Sequence, residues 1–150
     1  MSNLRFMLNP DFINTLLDNN FGVPSFDFPN TDVYVGLGID FDEESFSFTK
    51  EPVSKGFTIL DKPIKFGDPL NGIIRNIDVL EWPKAKEDWT TGNDTIKYLG
   101  LYYRYEKSEY DTEYKYKLIA VLPLQPAETV KYGEKMSLNT NMIQLRLANR

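Results

Sequence analysis

The sequence predicts an all-β protein, namely an antiparallel β-sandwich of about six to eight strands with one short N-terminal helix. Helical spacing of apolar residues occurs only before residue 22. After that point, β-branched and aromatic runs alternate with polar residues. Gly, Pro, Asn and Asp separate these runs, as expected for turns between strands. We therefore divide the chain into an N-terminal helix and extended arm, residues 1–31, and a β-sandwich domain, residues 32–150.

The predicted helix begins at Asn9 and ends before Gly22. Asn9 can cap a helix, and Pro10 suits the first helical position because its missing N–H would have no partner there. The apolar residues that follow fall on one helical face: Phe12, Ile13, Leu16 and Leu17.

An extended arm follows the helix and contains Pro24 and Pro29. Two prolines exclude this segment from a central strand and leave its apolar side chains in need of another surface. We therefore predict that the arm contacts a neighbouring subunit. The candidate contact residues are Phe21, Val23, Phe26 and Phe28.

The predicted strands are residues 32–39, 46–49, 73–80, 96–105, 114–122 and 142–147. Alternate residues of a strand point to the same face, so one set in each run is expected to be buried. The predicted core consists of Val33, Val35, Leu37, Ile77, Val79, Leu99, Leu101, Leu118, Leu122, Ile143, Leu145 and Leu147.

The runs 96–105 and 114–122 predict a long hairpin with a polar tip. On its second strand, one face is expected to carry Tyr114, Tyr116, Leu118, Ala120 and Leu122. Seven of the nine tyrosines lie between residues 98 and 116, and the charges from Arg104 to Lys117 cancel, with four of each sign. Such a ribbon favours a protein interface, although tyrosines covering their own hairpin explain the pattern equally well. The candidate interface residues are Tyr102, Tyr103, Tyr105, Tyr110, Tyr114 and Tyr116.

Composition excludes several classes of function. The 150 residues carry a net charge of −5, which argues against nucleic-acid binding because that affinity depends mainly on Lys and Arg. The absence of Cys and His removes thiolate and Ser-His nucleophiles, Cys-rich zinc sites and HExxH zinc sites. We expect a non-enzymatic protein without metal or cofactor. The first residues have no apolar signal-peptide core and no run is long enough to span a membrane, so we expect a cytosolic product at synthesis.

Two clusters could carry chemistry. Asp40, Asp42, Glu43 and Glu44 are oxygen ligands of the kind that hard cations take, but the spacing matches no EF-hand loop and a solvated turn is favoured. Trp82 and Trp89, near a pair of carboxylates, are typical of a sugar-binding platform, although tryptophan in a sandwich is more often a core residue.

The chain resembles a group of small virion proteins of tailed bacteriophages, tail fibre or minor structural proteins. The resemblance covers about residues 32 to 147. The matching motifs are Tyr34-Val35-Gly36-Leu37, then Asn76, Trp82-Pro83, Ala85 and Trp89, then Leu99-Gly100-Leu101-Tyr102, Leu122-Pro123-Leu124, Val130 with Gly133, and Ile143-Gln144-Leu145-Arg146-Leu147. Members usually place Gly directly after the second Trp, whereas this chain has Thr90-Thr91 before Gly92.

The resemblance implies a β-sandwich virion subunit of the tail, baseplate or fibre-attachment region. Such a subunit resides in the virion, and in the host cytoplasm before assembly. Its implied partners are other virion proteins and further copies of itself as a homo-oligomer, with neither nucleic acid nor membrane. A capsid decoration or head-fibre protein, and a carbohydrate-binding module that recognises the host surface, remain alternatives.

Overall fold

The computed structural model of the protein describes residues 7–8, 33–52, 59–68, 70, 73–105, 115–140 and 142–146. Within these ranges the regular secondary structure consists of ten strands and no helix. The strands are β1 Met7–Leu8, β2 Val33–Gly38, β3 Asp40–Asp42, β4 Ser47–Lys50, β5 Ile73–Arg75, β6 Leu80–Glu81, β7 Ile96–Tyr105, β8 Lys115–Glu128, β9 Ser137–Leu138 and β10 Gln144–Arg146.

The longest strands form one antiparallel sheet in the order β1-β8-β7-β2. β7 and β8 are the hairpin that the sequence predicts, and β2 pairs with β7 along its whole length. Met7 and Leu8 of β1 pair with Val121 and Ala120 in β8. β1 precedes the predicted helix, so the start of the N-terminal segment 1–31 joins the sheet of the β-domain.

The remaining strands form three antiparallel pairs, β3–β4, β5–β10 and β6–β9. Single bridges join Ile59 and Ile64 to β2, so residues 59–64 run along its outer edge. The described residues are thus mostly β-structure, consistent with the predicted all-β class. The two packed sheets of a sandwich stay a prediction.

Both faces of the four-stranded sheet are covered, which explains why every residue of β2 is buried. One face lies in a core that we call the inner core, built on alternate residues such as Val35, Leu37 and Leu101 together with Trp82 and Trp89. The other face carries a second cluster, the aromatic face. Its members are Tyr34, Phe46, Tyr102, Leu118 and Val121, with Phe41, Phe48, Ile59, Tyr98 and Tyr116 packed against them.

A β-bulge in β8 corrects the predicted alternation of the hairpin. Leu101 pairs with Ala120 and Tyr102 pairs with Leu118, so Ile119 is the extra residue. Because of it, Ile119 and Ala120 both belong to the inner core, whereas Leu118 faces the aromatic side. The prediction that Tyr116 and Leu118 share a face with Ala120 is therefore wrong.

Asn76 interrupts the strand that the sequence predicts over residues 73–80. Its side-chain oxygen accepts the N–H of Ile143 at 2.8 Å, and its amide donates to the carbonyl of Asp78 at 3.0 Å. The chain turns here, and beyond it Leu80 is the buried side chain. Ile77 and Val79, predicted as core residues, are 52% and 46% exposed. That part of the core prediction is wrong.

The other core predictions that fall on described side chains are confirmed. The buried residues are Val33, Val35, Leu37, Leu99, Leu101, Leu118, Leu122 and Ile143. The predicted N-terminal helix, the arm, Leu147 and the side chain of Leu145 lie outside the described residues.

Candidate interaction surface

The tyrosines of the hairpin build the aromatic face. The Tyr116 ring meets Tyr34 edge-on at a centroid distance of 5.8 Å and Tyr102 at 6.2 Å. The β3–β4 hairpin adds Phe41 and Phe46, whose rings also meet edge-on at 5.0 Å. Edge-to-face aromatic pairs at these distances stabilise a fold beyond the area that they bury.

Two glycines let the β3–β4 hairpin pack closely on the sheet. A Cβ at Gly38 would overlap the ring of Phe48, and a Cβ at Gly100 would lie 2.8 Å from the same ring and from Leu118. An ion pair also connects the hairpin to the residues before β7, since Lys50 Nζ lies 2.6 Å from Asp94 Oδ2. Its hydrogen bond to Asp94 raises the pKa of Lys50 above its ordinary value.

Of the predicted interface tyrosines, Tyr102 is a core residue and not a contact residue, since it is only 9% exposed. Burial, with a smaller contribution from the Glu51 carboxylate, raises the pKa of its phenol well above the ordinary value. Tyr103 and Tyr116 are half-buried and pack against the two clusters.

The rest of the predicted contact set cannot be placed on this surface. Six of these residues lie outside the described residues, namely Phe21, Val23, Phe26, Phe28, Tyr110 and Tyr114. For Tyr105, the structure describes the backbone but not the side chain. Their role at an interface stays a prediction.

The two tryptophans lie in the inner core. Trp82 and Trp89 are 1% and 0% exposed. Their backbone N–H groups donate to the carbonyls of Met136 and Val130, at 3.0 and 2.9 Å, so residues 82–90 are fastened along residues 130–136. Buried indoles offer no surface on which a sugar ring can stack. Trp82 and Trp89 therefore do not form the sugar-binding platform that the sequence suggested.

The acidic cluster spans β3, which contains Asp40 and Asp42, and the turn after it, which contains Glu43 and Glu44. The Asp42 carboxylate accepts hydrogen bonds from the Ser45 hydroxyl at 2.6 Å and the Ser45 N–H at 3.0 Å, and these bonds lower its pKa. Glu43 and Glu44 point into solvent. In the part of the chain that the structure describes, no three carboxylates come together as a metal site requires.

A few large apolar side chains are exposed to solvent. Among the described residues, the large apolar side chains in solvent are Leu70, Ile77, Val79, Tyr132 and Met142. Tyr132 is the most exposed of them, at 73%, and the only aromatic one. Single exposed apolar residues are normal, so their surroundings decide whether they matter.

Tyr132 lies in a hydrogen-bonded turn. Its N–H donates to Asp88 Oδ1 at 2.8 Å. The turn is closed by the Glu134 N–H, which donates to the Lys131 carbonyl at 2.9 Å, and by the Lys131 N–H, which donates to Glu134 Oε1 at 2.7 Å. The backbone of the turn is thus fixed while the phenol ring stands in water.

An open groove of about 700 Å³ lies beside this turn. Residues 65–67 pair with residues 75–77 through the bonds of Gly67 N–H to Arg75 O and of Ile77 N–H to Lys65 O. Beyond this pairing the two segments separate, because one follows β2 and the other follows β9. The groove fills the gap, with Leu60, Val79 and Trp82 in its lining.

Sequence reasoning did not identify the groove or Tyr132. The turn did have a local signal, namely the glycine of the Val130-x-x-Gly133 motif. Gly133 has a φ of +84°, a conformation that favours glycine. No local signal existed for the groove, because it depends on how residues 59–64 and 79–82 diverge.

The chain matches no family model and none of the curated proteins to a significant degree. The described residues contain no helix of the length and apolar character needed to cross a bilayer.

Proposed function

We propose that the protein is a non-enzymatic structural subunit of a tailed-bacteriophage virion, placed in the tail, baseplate or fibre-attachment region, and that its strands complete a β-sandwich. It acts by contacts with other virion proteins. The proposal rests on the hydrogen bonds that connect the residues on which the family resemblance depends.

These residues form three long-range links. Asn76 joins Ile143 through its backbone N–H, at 3.2 Å, and through its side-chain oxygen, at 2.8 Å. Gly133 N–H donates to the Ala85 carbonyl at 2.8 Å. The Trp89 N–H donates to the Val130 carbonyl at 2.9 Å. These linked residues connect distant segments of the fold and do not form a cleft, which suits a protein with a structural role.

The chemistry of the side chains supports the same proposal. Without His or Cys, catalysis would fall to carboxylates, lysines or tyrosines. The carboxylates of Glu87 and Asp88 are exposed, and Asp88 is engaged by the Tyr132 N–H. We expect no cleavage of peptidoglycan, capsular polysaccharide or phosphoesters by the purified protein. Turnover that a single carboxylate substitution abolishes would overturn the proposal.

Virions made by the genome that encodes this chain provide the direct test. Quantitative mass spectrometry of gradient-purified particles should find the chain at a fixed copy number per particle. Immunogold labelling should place it at the tail. Labelling of the head would favour the capsid decoration or head-fibre alternative, and absence from purified particles would contradict the proposal.

The arm remains a proposed contact element of this subunit. Replacing Phe21, Val23, Phe26 and Phe28 with Ser, while leaving β1 intact, should reduce incorporation into particles without unfolding the β-domain. Unfolding of this variant, seen by circular dichroism, would instead mean that these residues serve the protein's own core.

A further inference from the structure

The groove has the form of a gap in a β-sheet. Residues 59–65 form one of its walls, and the N–H groups of Leu60 and Ile64 in this wall donate to carbonyls of β2 at 2.8 Å. On the other side of the same wall, Ile77 N–H donates to the Lys65 carbonyl at 3.0 Å. The groove opens on this second side, where the pairing stops and no other described strand continues it.

Backbone groups of both walls face the groove. A strand residue directs its N–H and C=O to one side, and its neighbours direct theirs to the other. Leu60 faces β2, so Ile59 faces the groove, and no described residue forms a hydrogen bond with the backbone of Ile59. On the opposite wall, Trp82 N–H donates to the Met136 carbonyl, so Glu81 faces the groove. These are the groups with which an added strand would pair.

The groove also exposes apolar surface. Val79 exposes 46% of its surface, Pro83 is exposed and Ile59 is half-buried. The volume of about 700 Å³ lies within the range of about 300–1,000 Å³ that is typical of ligand sites. Strand edges beside exposed apolar side chains are what an extended peptide with bulky apolar residues requires.

The arm, residues 21–29, has the sequence of such a peptide. Pro24 and Pro29 exclude a regular helix and favour an extended chain at the residues before them. Phe26 and Phe28 lie two positions apart and therefore fall on one face of an extended chain. The residues between the two prolines keep their N–H groups, so they can donate to the walls of a groove.

The path of the chain favours the groove of another copy. Residues 9–32 connect Leu8 at one edge of the four-stranded sheet to Val33 at the opposite edge. The sheet between them is roughly 15 Å wide, whereas the connection can extend to roughly 80 Å, so it can reach a neighbour. Val33 lies on the β2 side of residues 59–65, away from the groove. To enter its own groove, the arm would have to cross that wall immediately after Pro29.

From these observations we infer that the arm of one copy enters the groove of the next copy as an added strand between Ile59 and Glu81, with its phenylalanines against Val79. The contact joins two different surfaces, so its repetition gives a closed ring or an open chain of subunits. The inference rests on the arm contact of the proposed function and identifies the surface that receives the arm.

The first experiment uses the absence of native cysteine. Asp27→Cys in one full chain and Lys62→Cys, at an exposed position of the groove, in another keep the phenylalanines and Val79. The two variants carry different tags and are mixed with a short bismaleimide crosslinker. Lys97→Cys, at an exposed lysine outside the groove lining, replaces Lys62→Cys as the matched control. We expect at least about tenfold more mixed product with Lys62→Cys than with this control.

A chain that carries both Asp27→Cys and Lys62→Cys distinguishes the two possible grooves. Crosslinking should give dimers and larger species on a denaturing gel, because each arm lies in the groove of the next copy. Crosslinking confined to the monomer, identified by mass spectrometry of the linked peptides, would place the arm in its own groove and overturn the inference.

Hydrogen–deuterium exchange tests the added strand itself. Between about 1 µM and 1 mM wild-type protein, the amides of Ile59 and Glu81 should exchange more slowly at the higher concentration. The double variant Phe26→Ser/Phe28→Ser should not show this slowing. Exchange at these amides that does not change with concentration would mean that no strand is added.

The outcomes also separate this contact from the virion role. Equal product with Lys62→Cys and Lys97→Cys would overturn the inference, as would the absence of any mixed product. Crosslinking between copies of a chain that is absent from purified virions would retain the contact and reject the virion role. Virions that contain the chain without this crosslink would retain the virion role and reject the contact.

Discussion

Asn76 shows how one polar residue can fix the path of a β-chain. It is fully buried, and its side chain makes three hydrogen bonds, to Ile143, Asp78 and Asn139. Buried polar groups must be paired, so this position demands an amide with both a donor and an acceptor. The side chain thereby joins residues 76–78 to residues 139–143, two segments that are distant in sequence.

We expect Asn76→Ala to lower the free energy of unfolding by at least about 1–3 kcal/mol, the cost of leaving one buried group such as the Ile143 N–H unpaired. Urea denaturation followed by tryptophan fluorescence measures the change. Asn139→Ala is the matched control, because Asn139 is exposed and contributes its backbone carbonyl. Equal stability of Asn76→Ala and the wild type would mean that water replaces the amide.

Tyr102 predicts a loss of stability at alkaline pH. Burial raises the pKa of its phenol in the folded protein, while the unfolded chain keeps the ordinary value of about 10. Above pH 10 the unfolded state loses this proton and the folded state retains it, so the free energy of unfolding falls as the pH rises.

Tyr102→Phe should make this alkaline decline shallower, because the phenylalanine has no proton to lose. Urea denaturation from pH 8 to pH 11 provides the test, with the exposed Tyr132→Phe as the control. If Tyr102→Phe keeps the wild-type pH dependence, the Tyr102 phenol ionises equally in the folded and unfolded states.

At the scale of elements, the sequence predicted the strands that have a clear local pattern of strand-forming residues. The β7–β8 hairpin and β2 follow from dense β-branched and aromatic alternation. The bulge did not follow, because Ile119 and Ala120 are both apolar and either could have faced the core. Ile77 and Val79 alternate as strand residues do, yet both are exposed beyond the turn at Asn76, whose side-chain oxygen accepts the N–H of Ile143, 67 positions away.

The packing of the β3–β4 hairpin leads to a prediction about Gly38. We expect Gly38→Ala to cost about 1–3 kcal/mol, since the added methyl group would overlap the Phe48 ring and force it to move. In a Phe48→Ala background the same substitution should cost less. This double-mutant cycle, measured by urea denaturation, identifies the clash, and purely additive costs would place the strain elsewhere.

At the scale of the whole molecule, contacts between distant residues hold the fold. β10 pairs with β5, and Ile143 is fully buried beside Asn76. The sequence indicated a terminal strand but not its partner, because pairing between residues 73–75 and 144–146 leaves no local pattern. The exposure of Tyr132 likewise has no local pattern in the sequence. It depends on which parts of the surface the other segments of the chain leave uncovered.

The position of β10 predicts that the C-terminal residues stabilise one region more than the rest. Removing residues 142–150 takes away the partner of β5 and both bonds of Ile143 to Asn76. Local opening follows the loss of local contacts, so amides of residues 73–76 should exchange much faster with deuterium in the truncated chain. The β7–β8 hairpin, whose strands pair with each other and with β1 and β2, should keep most of its protection. Hydrogen–deuterium exchange mass spectrometry distinguishes this outcome from a uniform rise in exchange over both regions, which would mean that β10 stabilises the molecule as one cooperative unit.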